Sequence, residues 1–188
     1  MNEYLNRIRL FIEQLDEETL GALKNISLTK TFKKGEYLLQ QGEVCRHSFW
    51  IEKGFVRKFY LNNGNEITTE LLFVDDIAVS FNSYTLQTPG HEFIQALTET
   101  TVSQTDFHHF QQAKSKFPKL LELDLLMTEY QAIWLENRLF QFHTQDATQR
   151  YLHLLKEHPQ IIQHIQLTHI ASYLGVSLET LSRIRAKI

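Results

Sequence analysis

The chain contains one cysteine, Cys45, among 188 residues. No disulfide can form within it, and no set of thiolates can hold zinc or an iron-sulfur cluster. A lone thiol of this kind is more often inert than a redox sensor. Long apolar runs are also missing: charges interrupt every hydrophobic stretch well short of a membrane span, and Met1 to Leu20 mixes Glu and Arg where a leader would be basic and then apolar. The expectation is a cytoplasmic protein with no membrane contact. Nor is there an overall basic excess, the formal net charge being −3. The distribution is uneven, however. Residues 147–188 carry a net +3, from Arg150, Lys156, Arg183, Arg185 and Lys187 against Glu157 and Glu179, leaving −6 on residues 1–146. An anionic partner such as DNA is expected at the C-terminal end. His153, His158, His164 and His169 fall in the same region without metal-motif spacing to carboxylates. With 43% hydrophobic residues the chain can form one large or two small cores.

The C-terminal stretch carries the most specific pattern. Leu167, Ile170, Ala171 and Leu174 recur at helical spacing until Gly175 interrupts them; Ser177 can cap a second helix whose inward face is Leu178, Leu181 and Ile184. Two short helices joined by a Gly-containing turn form a helix-turn-helix, or an ordinary helical hairpin with a wet polar face. The outward residues Glu179, Thr180, Ser182, Arg183, Arg185 and Lys187 suit base edges and phosphates. Glu accepts from the cytosine amino group, Arg donates two bonds to guanine, and hydroxyls serve either partner.

Upstream, Leu5, Ile8, Phe11, Ile12 and Leu15 share a helical face within Asn2 to Lys24, and Asp16 caps a second short helix. Between Ile26 and Phe110 the pattern becomes short aromatic and β-branched stretches, and six of the seven glycines precede residue 100. Strands are expected at 30–37, 48–52, 55–61, 66–73, 92–98 and 102–106, with a tight hairpin at Asn62-Asn63-Gly64-Asn65. The longest helical stretch is 113–142, beginning near Pro118. On it Leu120, Leu123, Met127, Tyr130 and Trp134 step by three and four, as a coiled-coil seam does; they are the expected dimer interface, with a helix buried inside one monomer as the competing explanation. Asp146 then opens an amphipathic helix that stops near His158-Pro159, and Thr144-Gln145 is the expected hinge.

The segment Ile170-Ala171-Ser172-Tyr173-Leu174-Gly175-Val176-Ser177-Leu178-Glu179-Thr180-Leu181-Ser182-Arg183 resembles the helix-turn-helix of the Crp/Fnr family of bacterial transcription regulators, in the form seen in Bacteroidetes-type members. Lys34 to Glu43 and Phe49 to Arg57 resemble the opening strands of the cyclic-nucleotide-binding fold. The resemblance spans nearly the whole chain. It implies an α+β protein with three segments. Residues 1–116 would form N-terminal helices and an antiparallel β-barrel or jelly roll, 117–143 a dimerisation helix, and 144–188 a C-terminal (winged) helix-turn-helix. Because the sequence ends at Ile188, immediately after the second helix, any wing would have to come from residues before the motif. By resemblance, Glu179 and Arg183 read bases, Thr168, Ser177 and Thr180 touch phosphates, and the partners are a second copy of the chain, double-stranded DNA and RNA polymerase. Leu178 is also at a DNA-contacting position by resemblance, but departs from the best-known cyclic-AMP-responsive members, which carry Arg there. The single cysteine separates the chain from the oxygen-sensing branch.

Cyclic-AMP-binding members hold their ligand with a Gly-Glu-Leu segment and an Arg-Ser or Arg-Ala pair. The corresponding region, Asp75 to Tyr84 and Pro89 to Ile94, has neither. Asp75, Asp76 and Glu92 would repel a cyclic phosphate that lacks its arginine. Phe81, Tyr84, His91 and Phe93 are the candidate lining for a different small-molecule effector, or simply aromatic core. No cofactor is expected. Of the rival functions, one is a small-molecule-binding jelly roll whose C-terminal helices mediate protein contacts. The other, an enzyme on a metal-bearing barrel, is disfavoured: His108 and His109 are neighbours and would face opposite sides of a strand.

Overall fold

The structure is a computed structural model describing residues 2–188. Its contacts divide the chain into two units, one of residues up to Leu28 with Thr105–Gln145, the other of Thr29–Gln104 with Asp146–Ile188.

The first unit is helical: α1 (Asn2–Glu13), α2 (Glu17–Asn25), α4 (Phe107–Lys116) and α5 (Pro118–Thr144). Asp16 caps α2 as expected, accepting from the Thr19 amide at 2.9 Å, and Asp106 caps α4 through the His109 amide. Proline at the first position of α5 leaves no amide unsatisfied, and it separates α5 from α4 where the sequence pattern suggested one continuous stretch. The core of this unit is Ile8, Leu15, Ala113, Leu120, Leu123 and Leu126. Met127 and Tyr130 pack on its margin, Tyr130 stacking on Tyr4, and Trp134 is half-buried.

The seam expected from sequence is therefore turned inward at its upper end. Leu120 and Leu123 are 0% and 4% exposed because α1 and α4 cover them. A different row stays open: Leu121, Leu125, Thr128, Ala132, Leu135, Leu139 and Phe142, stepping alternately by four and three, are all exposed. Periodicity cannot distinguish two apolar stripes on one helix; only the neighbours do.

The second unit holds eight strands in two antiparallel four-stranded sheets, a jelly roll and not the closed barrel that was one of the expectations. One sheet runs β1 (Ser27–Phe32), β8 (Thr100–Asp106), β3 (His47–Lys53), β6 (Ile77–Ala78); the other runs β2 (Tyr37–Leu39), β7 (Glu92–Ala96), β4 (Val56–Asn62), β5 (Asn65–Leu72). A turn at Gly35 (φ 88°) splits the single strand expected at 30–37 into β1 and β2. Asn63 (φ 51°) and Gly64 (φ 81°) form the β4–β5 hairpin turn with both central residues left-handed, as the sequence signal requires. Gly54 is irreplaceable for a different reason: a Cβ there would lie 2.5 Å from Thr100 Oγ1 and 2.6 Å from the Glu99 carbonyl.

Alternation sorts β4 and β7 into two faces. Val56, Ile94 and Ala96 join Phe49, Ile51 and Val102 in the core between the sheets, so Arg57, Phe59, Phe93 and Gln95 lie on the opposite face. Between Lys58 and Phe59 the β4–β5 register shifts, Lys58 pairing with Glu70 and Phe59 with Thr68. The unpaired residue is Thr69. This bulge moves Glu66 to the Arg57 face, whereas Glu70 points to the core.

From Asp146 onward the regular elements are all helices: α6 (Ala147–Glu157), α7 (Ile161–His164), α8 (Leu167–Leu174) and α9 (Leu178–Arg185). No strand occurs among these residues. Asp146 and Gln149 make a reciprocal capping box at the start of α6. The helices share a core with Leu71, Phe73 and Leu97 of the sheet side.

Candidate nucleic-acid interface and its attachment to the sheet

The turn between α8 and α9 is built by Gly175 and Ser177. Gly175 is left-handed (φ 69°), and its amide returns to the Ala171 and Ser172 carbonyls, closing α8. Ser177 then accepts from the Thr180 amide at 3.2 Å, opening α9. Leu181 and Ile184 of α9 are buried against Ile170, Ala171 and Leu174 of α8. From α6, Arg150 Nη2 donates to the Leu174 carbonyl at 2.9 Å and so holds the end of α8.

That packing leaves one face of α9 in solvent. Leu178, expected on the inward face with Leu181 and Ile184, is instead 40% exposed, because as the first residue of α9 it lies beyond the reach of α8. Glu179, Ser182 and Arg183 are exposed as well, followed by Arg185 and Lys187, with Thr180 half-buried beside them; Ser177 and, on α8, Thr168 are exposed too. The nine residues expected to meet DNA thus lie on α9, its flanks and the start of α8. Arg183 Nη2 donates to Thr180 Oγ1 at 3.1 Å, which extends the guanidinium along the helix surface. Hydrogen bonds from its own amide and from Ser177 hold the Glu179 carboxyl below its ordinary pKa, so it is an acceptor at neutral pH.

α8 is fastened to the sheet through residues that the sequence did not single out together. Arg57, only 2% exposed, lies over the Phe59 ring, with its Nη1 2.6 Å from Glu66 Oε2 and 2.8 Å from His169 Nδ1. Its Nε and Nη2 both donate to Gln95 Oε1. Guanidinium can only donate, so Nδ1 of His169 is the acceptor and the ring proton sits on Nε2. Burial and the adjacent guanidinium push the His169 pKa down to about 4. One turn on, Ser172 Oγ accepts from the Thr68 amide at 2.9 Å and donates to the Glu66 carbonyl at 3.0 Å, occupying the outer edge of β5. Two further histidines take part: His158 stacks on Phe73 and His164 on Phe55. Burial lowers the His158 pKa as well.

The four residues expected to line an effector pocket do not converge. Phe81 and Tyr84, on α3 (Phe81–Leu86), pack onto the core between the sheets, whereas Phe93 stacks on Phe59 at 4.8 Å on the opposite face of β7, and His91 is exposed. Beneath α3 lies instead a buried polar cluster. Lys58 pairs with Glu70, sits 3.8 Å from Glu92 and donates to the Val79 carbonyl, while Ser80 donates to Glu92. Burial alone would lower the Lys58 pKa, but the two carboxylates outweigh it and raise it. Strand alternation in Val56-Arg57-Lys58 was the available signal, because it places Lys58 on the core side with Val56.

Residues 29–116 match the cyclic nucleotide-binding domain family. No curated protein sequence is significantly similar to the chain. Among solved structures, FixK2 from Bradyrhizobium japonicum superposes with a TM-score of 0.75 at 17% identity, covering 86% of this chain and 84% of that one. The c-di-GMP-responsive global regulator CLP of Xanthomonas campestris gives 0.71 at 14% identity, with 92% and 91% coverage. The catabolite activator protein of Thermus thermophilus gives 0.56 at 20% identity, with 94% and 85% coverage. At these identities the likeness is one of fold. Among the described residues no helix is long and apolar enough to cross a membrane.

Proposed function

We infer, starting from the cyclic nucleotide-binding domain fold of residues 29–116, that the chain is a sequence-specific transcription regulator of the Crp/Fnr type acting as a homodimer. The observation that carries this reading is the α8–turn–α9 pair, whose second helix buries Leu181 and Ile184 and turns Glu179, Ser182 and Arg183 to solvent. A helix so anchored and so faced suits insertion in a major groove, with Glu179 and Arg183 reading bases. Arg185 and Lys187, together with the hydroxyls of Thr168, Ser177 and Thr180, are placed for phosphates.

Dimerisation supports an inverted-repeat operator, with the two copies of α9 about 34 to 36 Å apart in successive major grooves. The row Leu121, Leu125, Leu135, Leu139 and Phe142 is the proposed seam in place of Leu120 and Leu123. Met127, Tyr130 and Trp134 stay at its margin as partly covered residues. RNA polymerase is the partner that transcription control requires. The sensor works without classical cyclic AMP binding: the space beneath α3 is occupied by Lys58, Glu70 and Glu92, and the arginine of a cyclic-phosphate site is missing.

Selection of bound sites from a random duplex pool by the full chain tests the reading. An enriched inverted repeat is expected, and Arg183→Ala is expected to cost about 1 to 3 kcal/mol on that site and to relax one base position. Equal loss on every sequence reassigns Arg183 to phosphate contact. No enrichment, with or without a metabolite extract, overturns the function.

A further inference from the structure

We propose that a cleft of about 390 Å³ beside the β2–β3 connection binds a small amphipathic carboxylate, and that this cleft, not the aromatic set near α3, is the effector site. The inference deepens the regulator reading, but binding at the cleft does not depend on it.

The lining divides by chemistry. Leu38, Leu39, Val44 and Phe49 make an apolar floor, and Glu43, Arg46 and His47 stand at the rim. Of the two charged rim residues, Glu43 is already engaged: its carboxylate accepts from the Gln40 amide at 2.8 Å, closing the local turn. Arg46 is exposed and has no hydrogen-bond or ion-pair partner among the described residues. Cys45 is not the reactive element here. It is fully buried, its thiol donates to the His47 carbonyl at 3.3 Å, and burial raises its pKa.

Size and charge together select the ligand class. At roughly 30 Å³ for each water-sized group the cleft takes about a dozen non-hydrogen atoms, the lower end of the range for ligand pockets. One guanidinium fork matches one planar carboxylate, whereas a doubly charged phosphate beside Glu43 would lack a second cation. An apolar tail on the carboxylate would cover the leucine and phenylalanine floor.

The cleft is also wired to the segment that carries α3. The Cys45 amide donates to Ser83 Oγ at 2.9 Å, Gln87 Nε2 donates to the Cys45 carbonyl at 3.3 Å, and Val44 bridges to Pro89. A ligand that shifts residues 43–47 therefore acts on the middle of that helix and on its C-terminal end.

Calorimetric titration of the full chain with decanoate tests the proposal. One saturable site per chain is expected, weakened at least about tenfold by Arg46→Glu and blocked by Leu38→Trp, which fills the cleft. Arg46→Glu should unfold at the same urea concentration as the parent, since residue 46 is exposed, so lost affinity reports the cleft and not the fold. Non-saturable uptake, or equal affinity in parent and Arg46→Glu, overturns the proposal. A parent that binds decanoate at this site but no DNA sequence leaves the cleft established and refutes the regulator reading, so the two failures are distinguishable.

Discussion

Arg57 of β4 and His169 of α8 are joined by a 2.8 Å hydrogen bond that exists only while the imidazole is neutral. The guanidinium is shared among His169, Glu66 and Gln95, and the packed Phe59 ring holds it in place. A β-strand and the first helix of the proposed reading pair thus meet at a titratable contact.

The sign of the resulting pH dependence follows from the shift. His169 has a pKa of about 4 in the folded chain against an ordinary 6.5, so its contribution is complete above pH 6.5 and is lost as pH falls towards 4. Glu66 opposes the shift but does not cancel it. His158, also lowered, acts in the same direction, so the informative quantity is a difference. His169→Gln keeps an acceptor for Arg57 and removes the titration; its urea-unfolding stability should fall less than the parent's between pH 6.5 and 4. Parallel profiles would show that His169 does not accept from Arg57.

Lys58 is the single cation of the buried cluster beneath α3. Lys58→Met leaves Glu70 and Glu92 without it in the interior, and a loss of about 3 to 5 kcal/mol is expected from denaturant unfolding. The double change Lys58→Met, Glu70→Leu should recover much of that loss, because it removes one stranded carboxylate together with the lysine. A double variant no more stable than the single would mean that the cluster is solvated and contributes little.

Two leucines on α5, two residues apart, should behave oppositely. Leu125, 58% exposed, lies on the open row, and Leu125→Asp is expected to yield a folded monomer by sedimentation equilibrium. Leu123, 4% exposed, belongs to the helical core, and Leu123→Asp should unfold that unit. Dimers that persist in Leu125→Asp would place the interface elsewhere.

Much of this molecule could be read from local chemistry. Asp16, Asp146 and Ser177 act as caps, Asn63-Gly64 as a primed hairpin turn, and Gly175 as the left-handed stop between two helices, because each role is set by the residue and its immediate neighbours. Features that depend on distant packing were not legible. Both stripes of α5 carry apolar residues at helical spacing, and only α1 and α4 decide which is covered. The aromatic quartet looked like one pocket in sequence, yet β7 alternation sends Phe93 away from Phe81 and Tyr84. Nothing in the local sequence separates Glu66 from Glu70; the bulge at Thr69 assigns one to the buried Arg57 guanidinium and the other to Lys58 on the core side.

Ser172 has a second consequence through its place at the outer margin of β5. A terminal strand with free amides is a template on which a foreign strand can lengthen the sheet, the first step towards insoluble assemblies. Here the Thr68 amide and the Glu66 carbonyl are already engaged by a serine from α8. Any excursion that lifts α8 off the sheet therefore uncovers a sticky border. The lifetime of that state, as much as its population, sets how safely the protein can be concentrated.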